Sequence, residues 1–322
     1  MIGNDLVRAR GLVKRFQTGR RLLGSGGRQV HAVSGVDLTI RAGEFFGLVG
    51  ESGSGKSTTG RMLIRLLEPD EGSVEFEGTD ILALPERELR KVRRHFQIIF
   101  QDPYAALNPR MTVRTLVEEP LKIHRIGSGR ADRLDRAVEL LARVGLDRTA
   151  LDRYPHEFSG GQRQRIGIAR AIACSPRFLV ADEPVSALDT PVQAQIINLM
   201  LDLREQLGLA YLFIAHDLNL VRRVCDRVAV MYLGKIVEEG AGADLYRDPR
   251  HPYTRALLAS TPRQEPGIPH PPAVNGEPPS PVSPPAGCRF HPRCPVAVEE
   301  CSRTEPELID IGGGRKVACH LE

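Results

Sequence analysis

The sequence predicts an α/β fold with a mostly parallel sheet, built around a phosphate-binding loop, and three observations predict it. The apolar run Phe45 to Val49 leads into the glycine-rich stretch Gly50-Glu51-Ser52-Gly53-Ser54-Gly55-Lys56-Ser57-Thr58, which is followed by the helix-compatible segment Thr59 to Leu67. Further apolar runs at Phe178 to Ala181, Ala210 to Ala215 and Val228 to Tyr232 alternate with the helical patterns Val192 to Leu207 and Leu218 to Val224. The first of these runs ends in Asp182 and Glu183, at the edge where an open α/β sheet presents groups to a ligand.

Composition sets the outer bounds. A chain of 322 residues exceeds a typical single domain, so one large or two smaller domains are expected. The formal charge of +4 is spread along the chain and demands no nucleic-acid partner. No stretch approaches the roughly 20 consecutive apolar residues of a transmembrane helix, and Met1 to Arg10 is too polar for a secretory signal. The chain is therefore expected in the cytoplasm. Six cysteines are too few for a secreted disulfide scaffold, yet Cys288, Cys294, Cys301 and Cys319 crowd into the last tenth of the chain.

Taken in order, Leu6 to Phe16 and Val30 to Ile40 carry apolar positions suited to strands, among them Val33, Val36, Leu38 and Ile40. The basic stretch from Gln17 to Arg28 separates them, and reads as a solvated insertion or as a surface for membrane headgroups or a partner. Gly72 to Phe76 is a further strand, Pro85 to Arg94 a short charged helix, and His95 to Gln101 a strand. From Asp102 to about Ile172 the pattern turns helical: Thr112 to Lys122, then Arg130 to Val144 with Leu134, Ala137, Leu141 and Val144 on one face. This reads as a helical subdomain inserted into the nucleotide core. The chain is proline-rich over 266–285, which excludes regular helix or sheet there and suggests a semi-rigid connector.

The residue types carry the chemistry. Gly50, Gly53 and Gly55 allow a nest of backbone N–H groups around phosphates, Lys56 reaches the terminal phosphates, and Ser57 offers a hydroxyl to Mg²⁺. The helix that follows aims its positive end at the same anion. Asp182 suits a Mg²⁺-orienting carboxylate and Glu183 a base that polarises water; the same pair also suits a cap on the next helix, and the upstream loop favours the catalytic reading. Ser159-Gly160-Gly161-Gln162 opens the apolar-periodic run Ile166 to Ala173, either as an anion site or as a plain serine cap.

Together, Gly50 to Ser57 (with Ser52 and Thr58 in the same loop), Gln101, Phe158-Ser159-Gly160-Gly161-Gln162, Asp182-Glu183, Ser186-Ala187-Leu188-Asp189 and His216 resemble, in order and spacing, the ATP-binding subunit of an ABC transporter. The resemblance implies a P-loop NTPase fold with an antiparallel β subdomain, an inserted helical subdomain and a small irregular C-terminal extension. It implies ATP and Mg²⁺, with Ser57, Gln101 and Asp182 at the metal and Glu183, His216 and Gln101 in catalysis. Ser159 and Gly161 would bind ATP held by an opposing subunit, and Asp189 would lie in a dimer-contact loop. Phe16 is the aromatic placed to stack on adenine, or else a core residue.

Three stretches resemble the oligopeptide/dipeptide importers, and lean towards the second of their two ATPases: Ile99 to Thr112, Tyr154-Pro155-His156-Glu157-Phe158, and the tail from His251-Pro252-Tyr253-Thr254-Arg255-Ala256-Leu257-Leu258 to Cys294-Pro295. The implied division is an ATPase domain over 1–250, with its helical subdomain at about 102–172, and an extension over 251–322. The implied partners are a second ATPase, two transmembrane permeases and an extracytoplasmic solute-binding protein, at the cytoplasmic face of the membrane. A soluble ABC ATPase acting on DNA or ribosomes is the alternative; its usual second cassette or long coiled coil is lacking here. Four soft ligands in Cys288, Cys294, Cys301 and Cys319 suit an iron–sulfur cluster, zinc (with His291 and His320 as further ligands) or reduced thiols, and the resemblance favours [4Fe–4S]. Cys174 and Cys225 read as ordinary buried residues.

Overall fold

The computed structural model describes residues 5–18, 27–259 and 276–322. Residues 19–26 of the basic insertion and 266–275 of the proline-rich connector lie outside the described residues. Twelve strands are described: β1 (Asp5–Thr18), β2 (Arg28–Arg41), β3 (Phe45–Val49), β4 (Glu71–Phe76), β5 (Thr79–Asp80), β6 (Phe96–Ile99), β7 (Phe178–Asp182), β8 (Ala210–Ala215), β9 (Arg227–Tyr232), β10 (Lys235–Ala241), β11 (Ile309–Gly312) and β12 (Arg315–Val317). They belong to two compact units, and β8 contributes Ala210–Leu212 to one and Phe213–Ala215 to the other.

One unit comprises Met1–Leu6, Arg41–Gly43 and Ala83–Leu212. Its β6 and β7 pair in parallel, with Phe96 opposite Phe178 and Ile99 opposite Ala181. All five residues of β7 are buried, as expected of a parallel strand covered on both faces. The helices Val113–Ile123, Arg130–Arg143 and Gly160–Ile172 pack through Leu116, Val117, Leu121, Ala137, Leu141, Ile166 and Ala169, all buried. Of the apolar face expected at Leu134, Ala137, Leu141 and Val144, the last three are buried and Leu134 is half-buried.

The other unit comprises Val7–Ile40, Glu44–Leu82 and Phe213–Glu322. Strands in the order β2-β1-β4-β5 form the antiparallel subdomain, with Val7 opposite Phe76 and a register shift between Arg10 and Val13. Strand β3 pairs in parallel with β9, Phe46 opposite Arg227 and Val49 opposite Val230. Beyond β9 the ladder turns antiparallel: β9 to β10, β10 to β12, and β12 to β11.

The last three of these strands depart from the sequence reading, which left Lys235–Ala241 unassigned and the tail irregular. Strand β10 carries Glu238 and Glu239, which look like surface residues in the sequence yet are buried. Each is neutralised by an arginine of a neighbouring strand: Arg227 donates to Glu44 (2.9 Å) and to Glu239, and Arg315 reaches Glu238 at 3.3 Å. A buried carboxylate is tolerated only when so paired, and the charge pattern therefore hides a core strand. The β11–β12 hairpin closes through Gly312, Gly313 and Gly314, all at positive φ. Among the described residues no helix is long and apolar enough to cross a membrane.

Candidate nucleotide site and the cysteine cavity

The phosphate-binding loop joins β3 to the helix Lys56–Leu63, which begins three residues earlier than its apolar pattern suggests. Gly55 enters it at φ 105°, where its missing Cβ matters twice over: a Cβ there would stand 2.2 Å from the Ala32 carbonyl oxygen. At Gly50 a Cβ would stand 2.1 Å from the carbonyl oxygen of Met231. Close backbone approach thus excludes a side chain at Gly50 and at Gly55, the two flanks of the loop. Lys56 is 4% exposed, and its ammonium donates to the carbonyls of Gly50 (2.8 Å) and Glu51 (2.9 Å) and to Ser54 Oγ (3.4 Å). Ser52 and Gly53 are exposed, while Ser57 and Thr58 are half-buried.

The same loop is held from outside by residues far along the chain. The Glu51 N–H donates to the Tyr253 hydroxyl at 2.9 Å, and the Glu51 carboxylate accepts two-pronged bonds from Arg293 at 3.0–3.2 Å. Neither Tyr253 nor Arg293 was a candidate from the sequence. Tyr253 lies in the tail stretch His251 to Leu258, and Arg293 directly precedes Cys294, but nothing local in the sequence ties either to the loop. His216, at the exposed end of β8, lies in this unit. Phe16, on β1, is 37% exposed with the Lys14 ammonium 5.8 Å from its ring centroid, so its ring is not a core ring.

The remaining candidates for the nucleotide site lie in the first unit. Asp182 closes β7 and is buried, and Glu183 follows it at φ 47°, a left-handed conformation costly for a residue with a Cβ. The Gln101 side-chain amide donates to Glu183 Oε2 at 2.8 Å. Ser159 caps the helix Gly160–Ile172: its Oγ accepts from the Gln162 N–H, and the Gln162 side chain accepts from the Ser159 N–H, a reciprocal capping box. Asp189 caps the helix Thr190–Leu207. The two helix starts touch, since a Cβ on Gly161 would meet Val192 Cγ1 at 2.5 Å and one on Gly160 would meet Leu188 at 3.3 Å. Two positive helix ends are thereby brought side by side. Arg163, missed in the sequence, stacks its guanidinium 3.7 Å from the centroid of Tyr104 and donates to the Pro155 carbonyl.

In the C-terminal segment Cys288, Cys294, Cys301 and Cys319 line one cavity together with His291 and His320. None of the six cysteines is in a disulfide, and Cys174 and Cys225 are buried elsewhere. Burial pushes the thiols of Cys288, Cys294 and Cys319 up, and repulsion between the neighbouring sulfurs adds to it. Among the described residues no three His, Cys, Asp or Glu side chains converge closely enough to hold a single metal ion.

Comparison with known proteins places this geometry. Residues 33–186 match the family described as ABC transporter, and residues 237–301 match the oligopeptide/dipeptide transporter C-terminal region. The chain is 55% identical over 297 residues to the putative oligopeptide transport ATP-binding protein YkfD of Bacillus subtilis, covering 91% of this chain and 90% of that protein. It is 53% identical over 296 residues to the oligopeptide transport ATP-binding protein AppF of the same organism, covering 91% and 90%. A putative peptide import ATP-binding protein of Brucella ovis is 49% identical over 320 residues, or 99% of this chain and 98% of that one. Among solved structures, the ATP-binding cassette MJ0796, a dimer in a post-hydrolysis state bound to ADP and Pi, superposes with a TM-score of 0.65 at 32% identity, covering 73% of this chain and 98% of that one. A phosphate loop closed by a buried lysine, a strand-end Asp-Glu pair, a capped Ser-Gly-Gly helix and these full-length identities have one reading: the chain belongs to the ABC transporter family, among its oligopeptide/dipeptide ATP-binding proteins.

Proposed function

We propose that this chain is the ATP-hydrolysing subunit that powers import of oligopeptides or dipeptides across the cytoplasmic membrane, seated on the cytoplasmic face against partner permeases. The observation that carries the reading is the glycine loop with Lys56 buried beneath it, bonded to the Gly50 and Glu51 carbonyls. A lysine held within a glycine-rich loop that opens a helix is a device for anionic phosphates.

Within this reading, Gly50, Ser52, Gly53, Gly55, Lys56, Ser57 and Thr58 bind the ATP phosphates and Phe16 stacks on adenine. Ser57, Asp182 and Gln101 hold Mg²⁺, which when bound neutralises phosphate charge. Glu183 polarises the attacking water and His216 orients it beside the terminal phosphate. The bond from Gln101 supports this role for Glu183, because an amide donor fixes the carboxylate in one orientation. Ser159, Gly160, Gly161, Gln162 and Asp189 complete the site of an opposing subunit, a second and non-identical ATPase. Phosphoryl transfer depends on positioning and charge stabilisation, so dividing the donors between subunits makes hydrolysis conditional on closure. The ATPase domain occupies 1–250, with a helical subdomain at about 102–172, and the extension 251–322.

Cys288, Cys294, Cys301 and Cys319 hold a [4Fe–4S] cluster in the same reading. What supports this is that the four cysteines line one cavity, since cysteine thiolates are the ligands such a cluster takes. The cluster supplies, when bound, a cross-link among four segments of the tail.

Affinity purification of the tagged chain from intact membranes tests the function. Two permease subunits and a second ATPase are expected to co-purify, and a solute-binding protein to stimulate hydrolysis when peptide is present. Recovery of none of these, with ATPase activity stimulated by DNA or ribosomes, would overturn the reading.

A further inference from the structure

Arg293 lies in the C-terminal segment, immediately before Cys294, yet its guanidinium is spent on the phosphate-binding loop 242 positions earlier in the chain. Nη1 and Nη2 both reach the Glu51 carboxylate, and Nη1 also reaches the Tyr232 hydroxyl at 3.3 Å. The side chain is only 8% exposed, whereas Glu51 is 29% exposed. Around it Tyr232, Tyr253 and Phe290 form an aromatic cluster with centroids 4.5–5.4 Å apart, and Tyr253 accepts the Glu51 N–H. Glu51 is thus gripped at its N–H by Tyr253, at its carbonyl by Lys56 and at its carboxylate by Arg293.

We propose that Arg293 is a positioning residue for ATP binding: it neutralises the one carboxylate carried by the phosphate-binding loop and locks that loop's second residue, so that the C-terminal segment is part of the nucleotide site. A bare carboxylate beside the phosphates would repel them, and a forked guanidinium both cancels that charge and fixes its geometry. The inference rests on the reading of Gly50 to Thr58 as the ATP site.

The test is ATP affinity of the purified full chain by isothermal titration calorimetry, with kcat at saturating ATP and the melting temperature measured alongside. Arg293→Ala is expected to weaken ATP binding about ten-fold with kcat nearly unchanged, and Arg293→Lys by less, because it restores charge without the fork. Adding Glu51→Gln to Arg293→Ala is expected to return affinity to within about three-fold of wild type, since the uncompensated carboxylate is then gone. A purely structural role would move the melting temperature but give no such rescue. Unchanged affinity in Arg293→Ala, or a double variant as weak as the single one, would overturn the proposal. If Arg293→Ala does not fold, Arg293→Gln with and without Glu51→Gln decides the same point. A wild-type chain that takes up ATP while Lys56→Ala does not upholds the ATP site whatever Arg293 does; a wild-type chain that takes up none overturns both.

Discussion

Gln101 donates its side-chain amide to the Glu183 carboxylate across 2.8 Å, joining the end of β6 to the end of β7 within one unit. The two strands run in parallel with Ile99 opposite Ala181, so their carboxyl ends deliver both side chains to one edge. Glu183 is also held at positive φ, a conformation kept only where the surroundings over-determine it.

Glu183→Gln is expected to lower ATP turnover at least about a hundred-fold while leaving ATP bound, because the amide keeps the shape but not the basicity. Steady-state hydrolysis and nucleotide retention on gel filtration check this. Unchanged hydrolysis would remove Glu183 as the base.

Gly161→Ala places a Cβ 2.5 Å from Val192 Cγ1, a contact that requires movement. The clash is expected to outweigh the gain of at most about 1 kcal/mol that alanine brings over glycine in the first turn of the helix, for a net loss of about 1–2 kcal/mol in urea unfolding. In a Val192→Ala background the space opens, and the same substitution is expected to stabilise. The reversal of sign is the diagnostic.

His251 is 1% exposed, and burial, with a smaller contribution from Arg255, pushes its pKa down to about 4. Its Nδ1 accepts the Tyr253 N–H at 3.0 Å, a bond only the neutral ring can accept. The unfolded chain therefore takes up a proton between about pH 6.5 and 4 that the folded chain refuses. Stability is full above pH 6.5 and falls by about 3 kcal/mol as pH drops through 4. Denaturant melts across this window, compared with His251→Gln, are expected to show a shallower pH slope in the variant.

Anaerobic purification is expected to yield brown protein carrying iron and acid-labile sulfide, both lost in Cys294→Ser. Elemental analysis that found zinc without iron would replace the cluster with a zinc site.

Much of the fold was legible because its signals are local. Strand β3, strand β8 and the helix Leu218–Val224 fall where apolar runs and periodicity put them. Strand β10 was not legible, because Glu238 and Glu239 read as solvent-facing until Arg315 and Arg227 neutralise them inside. The cap at Ser159 was legible, and the capping box is there. The need for glycine at 161 was not, since it comes from Val192, thirty-one positions on.

By itself the sequence determined the phosphate loop, the order of the motifs and the alternation of strand and helix, since each is written in residues a few positions apart. Only the tertiary structure decided which distant side chains meet: Arg293 on Glu51, Tyr253 under the loop, and four cysteines around one cavity. The reason is physical. Periodicity and turn chemistry act over one or two turns of chain, whereas ion pairing and burial depend on which surfaces packing brings together.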